Sequence, residues 1–149
     1  MLLSDIFDKQ AIKPNLESTT RDEVFSELVQ AVTAVHPALD RDISLRAIQE
    51  RENKLNTSVA PGVAVPHGYY PGTDGIFGAF GFSKSGIAYG ALDEKPVHCV
   101  FLIIMGDAPR EKHLRVLNRI MSLINSGGLE LLRNAGGPDE MHRIFSRFH

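Results

Sequence analysis

Apolar positions recur at helical spacing in two stretches of this chain and close up into strand-like runs between them. Val24, Leu28, Ala31, Val32 and Val35 follow Thr20, and Thr20 with Glu23 has the form of a capping box. This predicts a helix that Pro37 stops. A second helix is expected after Asp40 or Asp42, running through Leu45, Ile48 and Arg51, with Asn53 and Asn56 at its end. The following glycine-rich stretch, 57–90, loses helical periodicity. Residues 63–65, 76–82 and 87–89 are short strand candidates separated by turn residues. Residues 97–105 are almost wholly apolar, as in a strand covered on both faces.

Helical spacing returns after Pro109, where Leu114, Leu117, Ile120, Met121 and Ile124 share one face. Ser126, Gly127 and Gly128 end that helix. A short helical piece is expected at 129–133. A last helix is expected after Gly136, Gly137 and Pro138, with Met141, Ile144, Phe145 and Phe148 as its stripe. The pattern predicts an α/β protein: a mixed β-sheet flanked by helices on both faces, as one layered domain spanning 1–149.

Composition narrows the class. The chain has 149 residues, of which 43% are hydrophobic and 23% charged, the range of an ordinary globular domain. Sixteen Lys and Arg stand against 18 Asp and Glu with no basic run, so the expectation is no nucleic-acid partner and no direct membrane insertion. Cys99 has no second cysteine to pair with and reads as an inert core thiol. The first residues lack the form of a signal peptide. A cytoplasmic location is expected.

The most unusual segment is Arg51-Glu52, a spacer, then Thr57-Ser-Val-Ala-Pro-Gly-Val-Ala-Val-Pro66-His67-Gly68. Pro66 fixes the backbone before one imidazole and Gly68 lets the chain turn immediately after it, which puts His67 at a rigid, exposed corner where a strand ends. Imidazole is suited to nucleophilic work near neutral pH because much of it is uncharged there. On chemistry alone, a histidine in a surface turn is the simpler reading. His113, beside Leu114 on an amphipathic helix, reads as a boundary histidine by the same standard.

The Arg-Glu…Thr…Gly-Val-Ala-Val-Pro-His pattern resembles the active-site signature of the type-2 enzyme IIA domains of the bacterial phosphotransferase system, the fructose, mannitol and nitrogen-regulatory IIA family. Ala91-Leu-Asp-Glu-Lys-Pro-Val97 and Lys112-His-Leu-Arg-Val-Leu117 resemble further segments of that family, as does the opening Leu-Ser-Asp-Ile. The resemblance implies a phosphotransferase component. In it His67 accepts a phosphoryl group from an HPr-like phosphohistidine donor protein, His113 donates a hydrogen bond to that group, and Arg51 neutralises it. Thr57, Pro66 and Gly68 are the expected binding residues. No cofactor and no metal are implied. The implied onward partner is an IIB-type acceptor or a regulated protein target. The nitrogen-regulatory branch is favoured over fructose or mannitol transport, because no fused sugar-transport segment accompanies the domain. Where the family reads Thr-Gly-Ile-Gly, this chain has Ser58 and Ala60 in place of the glycines, followed by Pro61 and Gly62. A positive φ at either position would strain a residue bearing a Cβ.

Two other readings stay open on the sequence. One is a purely regulatory protein-binding module switched by phosphorylation. The other, more distant, is a metal-dependent hydrolase using His67 and His113, although no H-E-x-x-H pattern or Cys-His cluster is present.

Overall fold

The structure is a computed structural model that describes residues 2–90 and 93–148. Ala91 and Leu92, which open one of the family-like segments, lie outside the described residues, as do Met1 and His149. Six strands form one mixed sheet among the described residues: β1 (Phe7–Lys13), β2 (Ser58–Ala60), β3 (Val63–Ala64), β4 (His67–Tyr69), β5 (Ile76–Ile87) and β6 (Val97–Met105). Their order is β1-β5-β6-β3-β2, and β4 also pairs with β6. The helices are α1 (Leu3–Ile6), α2 (Arg21–Val35), α3 (Arg41–Lys54), α4 (Arg110–Asn125), α5 (Gly128–Arg133) and α6 (Pro138–Phe145).

Strand β6 divides the core. Phe101, Ile103 and Met105 pack on the side of α1, α4, α5 and α6, whereas Val100, Leu102 and Ile104 pack on the side of α2 and α3. Each fully buried side chain of this size contributes about 1.5–3 kcal/mol. Helices therefore cover both faces of a mixed sheet, as the periodicity predicts. The capping box at Thr20 and Glu23 forms, and the Asp40 carboxylate accepts the amide proton of Ile43 to start α3.

Strands β3 and β4 pair with β6 in one continuous parallel register, Val63 opposite Cys99 and His67 opposite Ile103. The break between them falls at Val65 and Pro66. Pro66 has no N–H to donate, but its carbonyl still accepts from Ile103 N at 2.9 Å. The chain thus does not turn away after the histidine. It resumes pairing with β6, and His67 is the half-buried first residue of β4 rather than an exposed corner.

Gly68 has a different role from the turn expected of it. A Cβ there would lie 2.6 Å from the Ala47 carbonyl carbon and 2.8 Å from Ile48 N, so the missing side chain lets α3 lie directly on β4. Ser58 and Ala60 sit in β2 without positive φ. Gly62, with φ 78°, carries the left-handed turn into β3. The only other residue with positive φ that is not glycine, among those described, is Glu94. The two departures from the family pattern therefore cost no backbone strain.

Candidate functional site

Successive residues of an extended chain point to opposite faces, so Gly68 faces α3 while His67 emerges on the α4 side of the sheet. The C-terminal half of α3 and the first turns of α4 flank this imidazole and leave a cavity of about 540 Å³. Arg51, His67, Gly68 and His113 all line it, joined by Lys54 and Arg110. Residues from three distant parts of the chain, which the resemblance names together, thus meet in one cleft.

The His67 ring is held by its own strand. Nδ1 lies 2.8 Å from the Val65 carbonyl oxygen. A carbonyl oxygen only accepts, so Nδ1 carries the proton and Nε2 keeps its lone pair. Burial holds the His67 pKa below its ordinary 6.5. The bond to Val65 and the carboxylate of Glu52 pull the other way, and the positive charge of Arg51 reinforces the lowering. The imidazole is therefore neutral at neutral pH, with a nucleophilic nitrogen that has no proton to lose. His113 is held in the opposite sense: its Nε2 lies 3.1 Å from the Gly106 carbonyl oxygen and donates to it.

The Arg51 guanidinium donates from Nη1 to the Leu55 carbonyl at 2.9 Å, tying the end of α3 to the chain that follows. Thr57 does not offer a free hydroxyl to the cleft. It is buried, and its hydroxyl lies 2.5 Å from Glu52 Oε1 and 3.0 Å from the Tyr89 hydroxyl. It lines a smaller adjoining pocket of about 270 Å³ with Arg51 and His67. Pro66 is buried and lines neither cavity, so its contribution is the backbone break that precedes His67.

Glu52 is the residue that sequence reasoning missed. It is 4% exposed, and its carboxylate accepts from Thr57 N at 2.7 Å and the Tyr89 hydroxyl at 2.7 Å, besides Thr57 Oγ1. The signal was there: Ser44, Ile48 and Glu52 recur every fourth residue on the buried stripe of α3. A carboxylate on an apolar stripe needs partners, and Thr57 and Tyr89 provide them.

Exposed apolar side chains stand among the charged ones around the cleft. Tyr69 and Leu114 line it, Leu55 and Val59 line the adjoining pocket, and all four are exposed, as is Ile43 one turn before Ala47 on α3. The Tyr69 hydroxyl is bonded to the Asp107 carboxylate at the rim. Among the described residues no three His, Cys, Asp or Glu side chains converge as a metal ligand set, and no helix is long and apolar enough to cross a membrane.

The family model described as phosphoenolpyruvate-dependent sugar phosphotransferase system, EIIA 2, matches residues 5–148. A fructose-specific EIIABC component of Bacillus subtilis is 32% identical over 83% of this chain, which spans 20% of that protein's length. A nitrogen regulatory protein of Bradyrhizobium diazoefficiens is 30% identical over 83% of this chain and 80% of its own length. In fold, the crystal structure of the nitrogen regulatory protein IIA-Ntr from Neisseria meningitidis superposes with a TM-score of 0.87 at 23% identity, covering 96% of this chain and 98% of that one. The enzyme IIA of mannitol from Escherichia coli, in complex with its phosphorylated enzyme IIB, superposes with a TM-score of 0.72 at 16% identity, covering 93% and 95%.

Proposed function

This chain belongs to the EIIA 2 family of the phosphoenolpyruvate-dependent sugar phosphotransferase system, a family of phosphotransfer components, and from that premise we propose that it carries a phosphoryl group on Nε2 of His67. The observation that supports this most is the bond from His67 Nδ1 to the Val65 carbonyl, inside a cleft shared with Arg51 and His113. That bond fixes the ring and leaves Nε2 unprotonated.

In the proposed transfer, the Nε2 lone pair attacks the phosphorus of a phosphohistidine on a donor protein. A new P–N bond forms as the donor's P–N bond breaks, and the electron pair of the broken bond returns to the donor imidazole. Little covalent chemistry is asked of the protein beyond positioning and offsetting the charge on the equatorial oxygens. Arg51 is suited to that, since a charge-assisted bond contributes roughly 1.5–3 kcal/mol. Lys54 and Arg110 add positive charge around the same cleft. The exposed apolar rim of Leu55, Val59, Tyr69 and Leu114 supports a protein, rather than a small molecule, as donor and acceptor.

The phosphate then passes to an IIB-type domain or alters which regulated protein docks. Relatives bearing fructose and nitrogen-regulatory names match this chain at similar identity, so both fates belong to the proposal, the nitrogen-regulatory one being the finer reading. Incubation with phosphoenolpyruvate, enzyme I and an HPr-type donor tests the carrier role: one acid-labile phosphate per chain is expected, and none on His67→Ala. Undiminished labelling of that variant would refute it. Partner capture with the phosphorylated chain and with His67→Ala tests the switch, and identical partner sets would count against it.

A further inference from the structure

We propose that phosphorylation of His67 is accompanied by the uptake of one proton, carried on Nδ1 of His113. The inference rests on the carrier reading and concerns the second histidine of the same cleft. His113 donates from Nε2 to the Gly106 carbonyl at 3.1 Å. An imidazole with its proton committed there presents a bare Nδ1, which accepts hydrogen bonds and donates none. Phosphoryl oxygens also only accept. Neutral His113, held as it is, therefore meets a phosphoryl oxygen lone pair to lone pair. It becomes a donor to the phosphoryl group, with the Gly106 bond intact, only as an imidazolium with a proton on each nitrogen.

The surroundings place this proton in the phosphorylated state rather than before it. From α3, Arg51, Lys54 and Glu50 face the cleft. Arg110 comes from the same helix as His113, and His67 and Tyr69 come from β4, the Tyr69 hydroxyl being taken by Asp107. While the cleft is empty it holds three fixed cations against Glu50, with Asp107 taken by Tyr69 at the rim and Glu52 buried on the Thr57 and Tyr89 bonds. A phosphoryl dianion on His67 brings two negative charges beside His113 and favours its imidazolium form. Gly106 is the positioning element. It lies between β6, which ends at Met105, and α4, which begins at Arg110, so its carbonyl is fixed relative to both. Its own N–H bonds to the Gly75 carbonyl at 2.9 Å.

The balance is simple. The phosphoryl group leaves the donor imidazole for His67 Nε2, the proton of His67 stays on Nδ1 in its bond to the Val65 carbonyl, and one proton moves from water to His113 Nδ1. By linkage, the equilibrium constant for charging His67 falls about tenfold for each pH unit between the titration of His113 in the free form and its titration in the phosphorylated form, and levels off on either side.

The test is nitrogen NMR of the histidine-labelled intact chain, before and after phosphorylation by phosphoenolpyruvate, enzyme I and an HPr-type donor at pH 7.5. The expected result is phosphorus coupled to His67 Nε2 and two protonated nitrogens on His113 in the phosphorylated form, against one in the free form. Phosphate on His67 with His113 still singly protonated, its Nε2–H moved from Gly106 onto the phosphate, would overturn this inference and leave the carrier reading standing. Absence of phosphate from His67 would overturn both.

Discussion

The buried carboxylate of Glu52, near the end of α3, binds both the amide and the hydroxyl of Thr57 five residues on, and so closes the chain that leads from the helix into β2. The same carboxylate takes the Tyr89 hydroxyl from just beyond β5. One side chain thus ties together three segments beside the cleft, directly behind Arg51. Glu52→Ala would leave the Thr57 amide buried without its acceptor and the Thr57 and Tyr89 hydroxyls with only each other. At about 1–3 kcal/mol for the amide and for the hydroxyl pair left short of an acceptor, urea unfolding is expected to show a loss of about 2–6 kcal/mol. Thr57→Val removes the hydroxyl but keeps the amide bond, and is expected to cost about 1–2 kcal/mol. A Glu52→Ala protein as stable as the parent would show that the three bonds contribute little.

Gly68→Ala tests the close approach of α3 to β4. The added Cβ meets backbone atoms of Ala47 and Ile48, which cannot rotate away. Overpacking of this kind costs about 1–3 kcal/mol. Moving α3 also moves Arg51 relative to His67, so the variant is expected to lose phosphorylation rate as well as stability. Unchanged unfolding midpoint and rate would contradict the reading of this glycine.

Acid stability carries a sign that can be checked. The His67 pKa lies below its ordinary 6.5 in the folded protein, first because of burial. The unfolded chain therefore binds the proton more readily. The stability that neutral His67 contributes is intact above pH 6.5 and declines as pH falls below it, until the folded histidine titrates too. Urea midpoints measured from pH 7.5 to 5 are expected to fall more steeply for the parent than for His67→Gln. Parallel slopes would count against a depressed His67.

Cys99 sits in β6 against the core, and burial pushes its thiol pKa up to about 12. A disulfide-exchange reagent at pH 8 is expected to label it only after denaturation. Prompt labelling of the native protein would mean that β6 opens locally.

The long elements were legible because their burial is regular. The stripe of α2 and the unbroken apolar run of β6 each match one periodicity, and the caps at Thr20 and Asp40 mark where helices begin. Strand β1 was not legible. Only Phe7, Ala11 and Ile12 of its seven residues are buried, and its pairing with β5 shifts register between Phe7 and Ile12, so no alternation reaches the sequence. Strands β2 and β4 are three residues long and exist through their pairing with β3 and β6. Residues 76–82 and 87–89 read as two strands because exposed Lys84 and Ser85 interrupt the apolar run, yet β5 continues to Ile87.

The site divides in the same way. His67, His113 and Arg51 were singled out through the family resemblance of their segments, and they line one cleft. The tautomers were not legible, since they depend on the Val65 and Gly106 carbonyls, whose positions only the fold determines. Nor was the reason for Gly68, which lies in a helix packed across from it.

Removing the Arg51 guanidinium takes away the charge-assisted bonds proposed for it to the phosphoryl group, each contributing about 1.5–3 kcal/mol, roughly 10- to 150-fold in equilibrium. Arg51→Gln is expected to lower the steady-state phosphorylated fraction against a fixed donor pool by at least tenfold, while the unfolding midpoint moves little because the bond to Leu55 lies at the surface. An unchanged phosphorylated fraction would remove Arg51 from the account.

The proposed transfer stands or falls on His67 being the residue that receives the phosphate. Fragmentation mass spectrometry of the chain, charged with phosphoenolpyruvate, enzyme I and an HPr-type donor and kept alkaline throughout, locates the group most directly. The account predicts one phosphate per chain, on His67 alone. Phosphate on His113 or any other residue, with His67 unmodified, would contradict it.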